Sequence, residues 1–293
     1  MQSSRIKTFI IGLLLLALGP AMTGCSALRL GYANGPQLAW WWIDGYFDFS
    51  RDQTPQVKQA LDKWFEWHRS SQLPDYVALL ASARQQVLEP ATPALVCRWQ
   101  DRIRDALEPA LARATVDFAD MVPAMGDAQL KRLEQKYAKL NDEMRTDFLQ
   151  ADAAERQRES LKRAVERAER IYGSLDDAQL RVISAGVVAS PFNPELWLVE
   201  RQRRQRDTLQ VLKRMVAERS DRDQRVAALR SLVQRTERSP NAEYRAYQVK
   251  LMDYNCALAS QIHNATTPAQ RQKARENLKG WEDDLKSLVA PAG

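Results

Sequence analysis

Apolar residues recur at intervals of three and four along most of this chain, the period of helices that bury one face. Leu95, Trp99, Ile103, Ala106, Ala110, Ala114 and Phe118 form one such line. Leu130, Leu133, Tyr137, Leu140, Met144 and Phe148 form a second. Tyr244, Tyr247, Leu251, Tyr254, Leu258 and Ile262 form a third, and Ala274, Leu278, Trp281, Leu285 and Leu288 close the chain. Strand signals, β-branched alternation bounded by turns, are almost absent. The spacing predicts an all-α fold: a multi-helix array or bundle of antiparallel helices.

A repeated start signal punctuates these stripes. Ser50 to Gln53, Gly126 to Gln129, Asp176 to Gln179 and Thr267 to Gln270 each place a capping candidate three residues before a glutamine. In a capping box the first side chain accepts from the third helical amide, and the glutamine reaches back to the cap amide. Gly126 has no side chain, so that copy is half a box. Thr92-Pro93 and Asn193-Pro194 are further starts, with proline at the first helical position. Pro109 is expected to kink the helix that contains it. Residues 155–170 (ERQRESLKRAVERAER) read as a solvated face. There Glu159–Arg163 and Glu166–Arg170 are i,i+4 pairs in the favourable order.

The first residues change the picture from fold to location. Arg5 and Lys7 precede an unbroken apolar run at residues 9–18, and Gly19-Pro20 then breaks it. That order is the layout of a secretory signal peptide. The run is about half the ~20 residues that a spanning helix needs. Met22-Thr23-Gly24-Cys25 resembles the lipobox of bacterial lipoproteins, although Met22 stands where leucine is usual. The resemblance implies cleavage between Gly24 and Cys25, a diacylglycerol on the Cys25 sulfur, and acylation of the new amino terminus. Several acyl chains hold a protein to a membrane far more firmly than one. Ser26 is not the aspartate that retains lipoproteins at the inner membrane in enteric-type sorting. The resemblance therefore implies an outer-membrane anchor, with the domain expected in the periplasm. The expected organisation is a signal peptide over 1–24, a lipidated cysteine and tether over 25–37, and one all-helical domain over 38–290.

Composition then narrows the partners. The formal charge of +6 falls to +4 once Arg5 and Lys7 leave with the leader. A mild basic excess on an exported chain is a poor nucleic-acid signature. The expected partners are the membrane, through lipid on Cys25, and an envelope protein or polymer; no nucleic acid is expected. Cys97 and Cys256 remain as the internal cysteines. An oxidising compartment permits their pairing; two separate buried thiols are the alternative.

Candidate chemistry is sparse. His68 and His263 are the only histidines, and neither lies in a metal-binding motif. No nucleophile elbow, phosphate loop or C-x-x-C pair is present. The expectation is a non-enzyme with no catalytic residue, metal or cofactor. Residues 40–49 (WWWIDGYFDF) predict a short helix packed into the core; the alternative seats its Trp residues in the membrane interface, where they are enriched. Asp44 and Asp48 fall one turn apart there, as a solvated face or a site. The segment SPFNPELWLVERQRRQR carries the most specific signal. Its helix starts an apolar face at Trp197 and continues it at Leu212 and Met215, with Arg201, Arg204 and Thr208 between. Two inward arginines need acidic partners or a ligand, because an unpaired buried charge is costly. Arg201 and Arg204 are therefore candidates for an anion-binding or partner groove, the alternative being ion pairs to other helices.

The start WWWIDGYFDF, the stretch DAQLKRLEQKYAKLNDEMR, the junction YGSLDDAQL and the segment SPFNPELWLVERQRRQ together resemble a family of proteobacterial lipoproteins known only as a domain of unknown function. That resemblance implies an all-helical envelope lipoprotein and carries over no activity. A second, weaker one is to small periplasmic helical chaperones marked by L-T-x-x-Q, which Leu175 to Gln179 and Phe49 to Gln53 approximate without the threonine. The functional expectation is a lipid-anchored interaction or scaffolding protein. The alternatives are a chaperone-like binder of unfolded exported proteins and an enzyme acting on envelope material.

Overall fold

The computed structural model describes residues 27–289, which form twelve α-helices and no strand. In chain order the first six are α1 (Ala27–Ala33), α2 (Gly35–Phe47), α3 (Thr54–Ser71), α4 (Leu73–Gln86), α5 (Pro93–Met121) and, after a 3-10 turn, α6 (Asp127–Phe148). The others are α7 (Ala153–Tyr172), α8 (Asp177–Val188), α9 (Pro194–Glu218), α10 (Arg222–Glu237), α11 (Ala242–Asn264) and α12 (Pro268–Val289). The all-α array read from the spacing is the fold observed. The leader, Gly24 and Cys25 lie outside the described residues.

The stretch expected as a tether is helical from Ala27 onward. Specific contacts hold it. Tyr32 Oη lies 2.9 Å from His68 Nδ1, and its ring meets Phe65 edge-on. Gly35 allows the approach, since a Cβ there would sit 2.4 Å from Phe65 Cε1. α1 also packs on α12, so the first and last described helices touch.

The main core lies where α5, α6, α9 and α10 meet. Ala119, Val122, Leu133, Leu212, Met215 and Leu229 are buried together there, and Tyr46 and Phe47 of α2 pack against them. Trp40, Val57 and Met121 form a smaller cluster beside it. α12 lies along α4, and α11 lies along α5. Thus the end of the chain closes over its beginning. Cys97 of α5 and Cys256 of α11 form a disulfide with Cα atoms 5.5 Å apart.

The start signals do more than cap. Ser50, Asp176 and Thr267 each form a complete box, while Gly126 contributes only its amide, to Gln129 Oε1 at 3.0 Å. The four glutamines then pair across the fold. Gln129 Nε2 donates to Gln53 Oε1 at 3.2 Å. Gln179 and Gln270 lie amide to amide, with N···O distances of 2.6 and 2.9 Å. Gln179 also donates to the Ala265 carbonyl, and Gln270 to that of Ser174. One further complete box, Asp221 with Gln224, opens α10 and lacks such a pairing.

Two expectations fail locally. Of the stripe on α5, which runs through Pro109 as one helix of 29 residues, only Ala110 is buried and Ile103 is exposed. Ile103, Leu107 and Leu111 are exposed, because α10 ends at Glu237 and leaves a recess beside them before α11 begins. On α7 neither expected i,i+4 pair forms. Arg163 instead covers the Phe148 ring, 4.4 Å from its centroid.

Candidate functional site

The tryptophan run splits. Trp40 is buried against Val57, whereas Trp41 and Trp42 are 62% and 66% exposed, which corrects the expectation that the run packs into the core. A helix has two faces, and three consecutive residues cannot share one. Leu38 is exposed on the same helix, and Leu28 and Leu30 on the one before it. Asp44 and Asp48 end the helix: Asp44 Oδ1 accepts from the Phe49 amide at 3.0 Å, and Asp48 adopts φ 53°, ψ 66° at the C-cap.

The segment from Pro194 is opened by Asn193, whose side chain accepts from the Leu196 amide. Arg201 and Arg204 are half-buried and line an open cleft of about 290 Å³ with Tyr46, Tyr137, Trp197 and Thr208. Arg204 Nε lies 2.9 Å from Glu200 Oε1, and Arg201 Nε donates to Asn141 Oδ1 at 3.1 Å. The buried charge that organises this region is Glu200, only 4% exposed. It also accepts two bonds from Arg203 and one from Ser239. Burial works to raise the Glu200 carboxyl, but these hydrogen bonds outweigh it and hold the group below its ordinary value. Sequence reasoning missed Glu200; its position three and four residues before two arginines is the signal that would have found it.

The histidines are structural. His263 Nε2 donates to the Glu89 carbonyl at 2.8 Å, which leaves Nδ1 to accept from Tyr172 at 2.9 Å. Burial pushes Tyr172 up to about 12 and pushes both imidazoles down. His68 stacks on Trp64.

A larger groove, about 570 Å³, lies across Trp197 from that cleft. Its apolar surfaces come from Val187 and Val188 at the end of α8, Leu251 and Leu258 of α11, and the rings of Phe148, Phe192 and Trp197. The three rings interlock edge to face or tilted, with Phe148 5.1 Å from Trp197. Pro191 and Pro194 bracket Phe192, and the Asn193 amide donates to Tyr247 Oη at 2.8 Å, so the loop is fixed on α11. α7 supplies Arg156, Arg163 and Arg167, with Gln157 and Ser160. No acidic residue lines the groove. Arg156 bonds the carbonyls of Gln150 and Ala151, and Arg163 those of Asp147 and the Ser160 hydroxyl. Arg167 has no ion-pair or hydrogen-bond partner among the described residues. Concave, partly apolar surfaces with a few convergent polar groups are the usual form of a binding site.

Among the described residues, no group of three or more His, Cys, Asp or Glu could hold a metal ion, and no helix is long and apolar enough to cross a membrane. A family model described as a family of unknown function (DUF6279) matches residues 45–245. The match includes the three groove arginines and the aromatic cluster, and stops short of Leu251 and Cys256. No curated protein and no solved structure matches the chain.

Proposed function

The chain belongs to the DUF6279 family of unknown function, and from that premise we propose that it is a lipid-anchored envelope protein that holds a partner in the groove between α7, α8 and α11. The groove carries this reading: it is open, partly apolar, rimmed by cations and built on helices whose ends are capped and interlocked. The lipobox-like Met22 to Cys25 supports the anchor, and Ser26 supports the outer membrane as its location with the domain in the periplasm. Cys25→Ser is expected to abolish acylation and release the protein from membranes. Normal processing and membrane fractionation of that variant would overturn the anchor. A photo-crosslinking residue in place of Phe192, 37% exposed at the groove, is expected to trap a discrete adduct in living cells. The same residue in place of Lys139, on α6 and away from the groove, is the control. Identical adducts from both positions, or none from Phe192, would count against the binding role.

Two observations favour variants of this reading. The exposed ridge Ile103, Leu107 and Leu111 suits a chaperone-like binder of unfolded exported chains. Suppression of aggregation that is lost in Leu107→Asp would select that alternative. The adjoining cleft makes Arg201, beside an Arg204 already paired with Glu200, a second seat for an anionic group of the partner. Unchanged capture at Phe192 in Arg201→Ala and Arg204→Ala removes that seat.

A further inference from the structure

We infer that the groove takes an acidic amphipathic helix of a partner protein, laid alongside α7 with its carboxylates on Arg156, Arg163 and Arg167. This rests on reading the chain as a binding protein and adds the chemistry of what it binds.

Charge complementarity is the first argument. The groove gathers three guanidiniums and no carboxylate. The neighbouring cleft differs, because there Arg204 is neutralised by Glu200. In the groove, Arg156 and Arg163 are held by carbonyl and hydroxyl oxygens and an aromatic face, which orient a guanidinium without cancelling its charge. A guanidinium has five donors, so both keep donors for a ligand. Arg167 keeps all of its own. Uncompensated like charges in a concave surface focus the potential and favour an anion.

The layout of the charges selects the kind of anion. The arginines fall at intervals of seven and four residues on one helix. At 1.5 Å per residue the row is about 16 Å long. A single phosphate or carboxylate headgroup cannot meet a row of that length. A partner helix repeats its side chains with the same rise, so acids seven and four residues apart fall in register. Its apolar face then meets Val188, 63% exposed, together with Phe192 and Trp197. This is the helix-in-groove mode, with apolar anchors along one side and ion pairs along the edge.

The test uses the full chain in nanodiscs of neutral phosphatidylcholine and fluorescence anisotropy. The probe is a labelled helical peptide with glutamates spaced by seven and four beside a leucine–phenylalanine face. Its counterpart carries lysine at the glutamate positions. The glutamate peptide is expected to bind, and the lysine peptide at least about tenfold more weakly. Arg167→Glu and Val188→Asp, both surface changes, are expected to weaken the glutamate peptide by about tenfold with thermal unfolding unchanged. Salt is expected to weaken binding. Equal binding of the two peptides, no binding, or indifference to Arg167→Glu would overturn the inference. Recruitment of phosphatidylglycerol vesicles that is lost in Arg167→Glu and not competed by the glutamate peptide would assign the groove to lipid instead. A partner trapped at Phe192 through a segment without acids would end this inference and leave the binding role standing.

Discussion

At the residue scale, Glu200 and His263 are buried with partners matched to their chemistry, whereas Gln72 Oε1 and Tyr76 Oη are buried without a hydrogen bond among the described residues. Glu200 is surrounded by Arg203, Arg204 and Ser239. His263 is fixed as a neutral ring between a carbonyl acceptor and a phenol donor. Burial lowers the pKa of His68 and His263 below the 6.5 of an exposed imidazole. The unfolded chain therefore takes up protons at a pH where the folded chain does not. The resulting stability is full above about pH 6.5 and declines as pH falls through that value toward the lowered folded pKa. Urea unfolding at pH 7.5 and 5.5 is expected to give a lower midpoint at 5.5, with a smaller difference in His263→Gln. An unaltered difference would show that this imidazole contributes nothing. Sequence spacing drew attention to Arg201 and Arg204, yet the buried member of that network is the glutamate before them. Periodicity marks which side of a helix turns inward. It does not state which of two adjacent charged residues ends up dry, since that depends on the neighbour's partner, here Ser239 from beyond the end of α10.

At the element scale, helix starts work as joints. Each capping box orients its glutamine toward the cap amide, and in all but the Asp221 box the free amide edge then bonds a second box. Gln179 and Gln270 tie the start of α8 to the start of α12, and Gln53 and Gln129 tie α3 to α6. Gln179 is 4% exposed, so losing Gln270 leaves one of its buried N–H groups without an acceptor, the other still bonding the Ala265 carbonyl. Gln270→Ala is expected to cost about 1–3 kcal/mol in chemical denaturation, whereas Gln224→Ala, in the box that pairs with nothing, costs about 1 kcal/mol or less. Equal costs at the two sites would show that the cross-pairing adds nothing. Close approach is built the same way. Gly186 of α8 lets Leu258 of α11 within 2.2 Å of where a Cβ would stand, and Tyr254 Oη donates to the Gly186 carbonyl. The boxes themselves were legible in the sequence because a cap and its glutamine are three residues apart. Their pairing was not, because 76 and 91 residues separate the partners.

At the scale of the whole molecule, closure of the chain's end onto its beginning is the defining feature. α12 lies along α4, Glu282 of α12 sits 3.2 Å from Arg84 of α4, and the disulfide fastens α11 to α5. The disulfide closes a loop with a sequence separation of 159. Loop-closure entropy in the unfolded chain gives it roughly 5 kcal/mol at most. Cys97→Ser with Cys256→Ser is expected to lower the unfolding free energy by about 2–5 kcal/mol while helix content is retained. Loss of helix content would show instead that the bond is needed to fold. The same closure shapes the groove, whose walls come from α7, α8 and α11.

The sequence by itself determined the helical class, most helix starts, the leader-like first residues and the two cysteines available to pair. These are encoded within a few residues of one another, by turn period, cap spacing or local composition. Tertiary structure alone decided that Trp41 and Trp42 face outward while Trp40 is buried, that α1 packs instead of trailing, and that Arg163 covers Phe148 instead of pairing with Glu159. It also decided that three arginines on what reads as a solvated helix meet an aromatic cluster from α6, the loop before α9 and α9 itself. Each of those outcomes depends on which distant face a helix meets, and a local period carries no information about that.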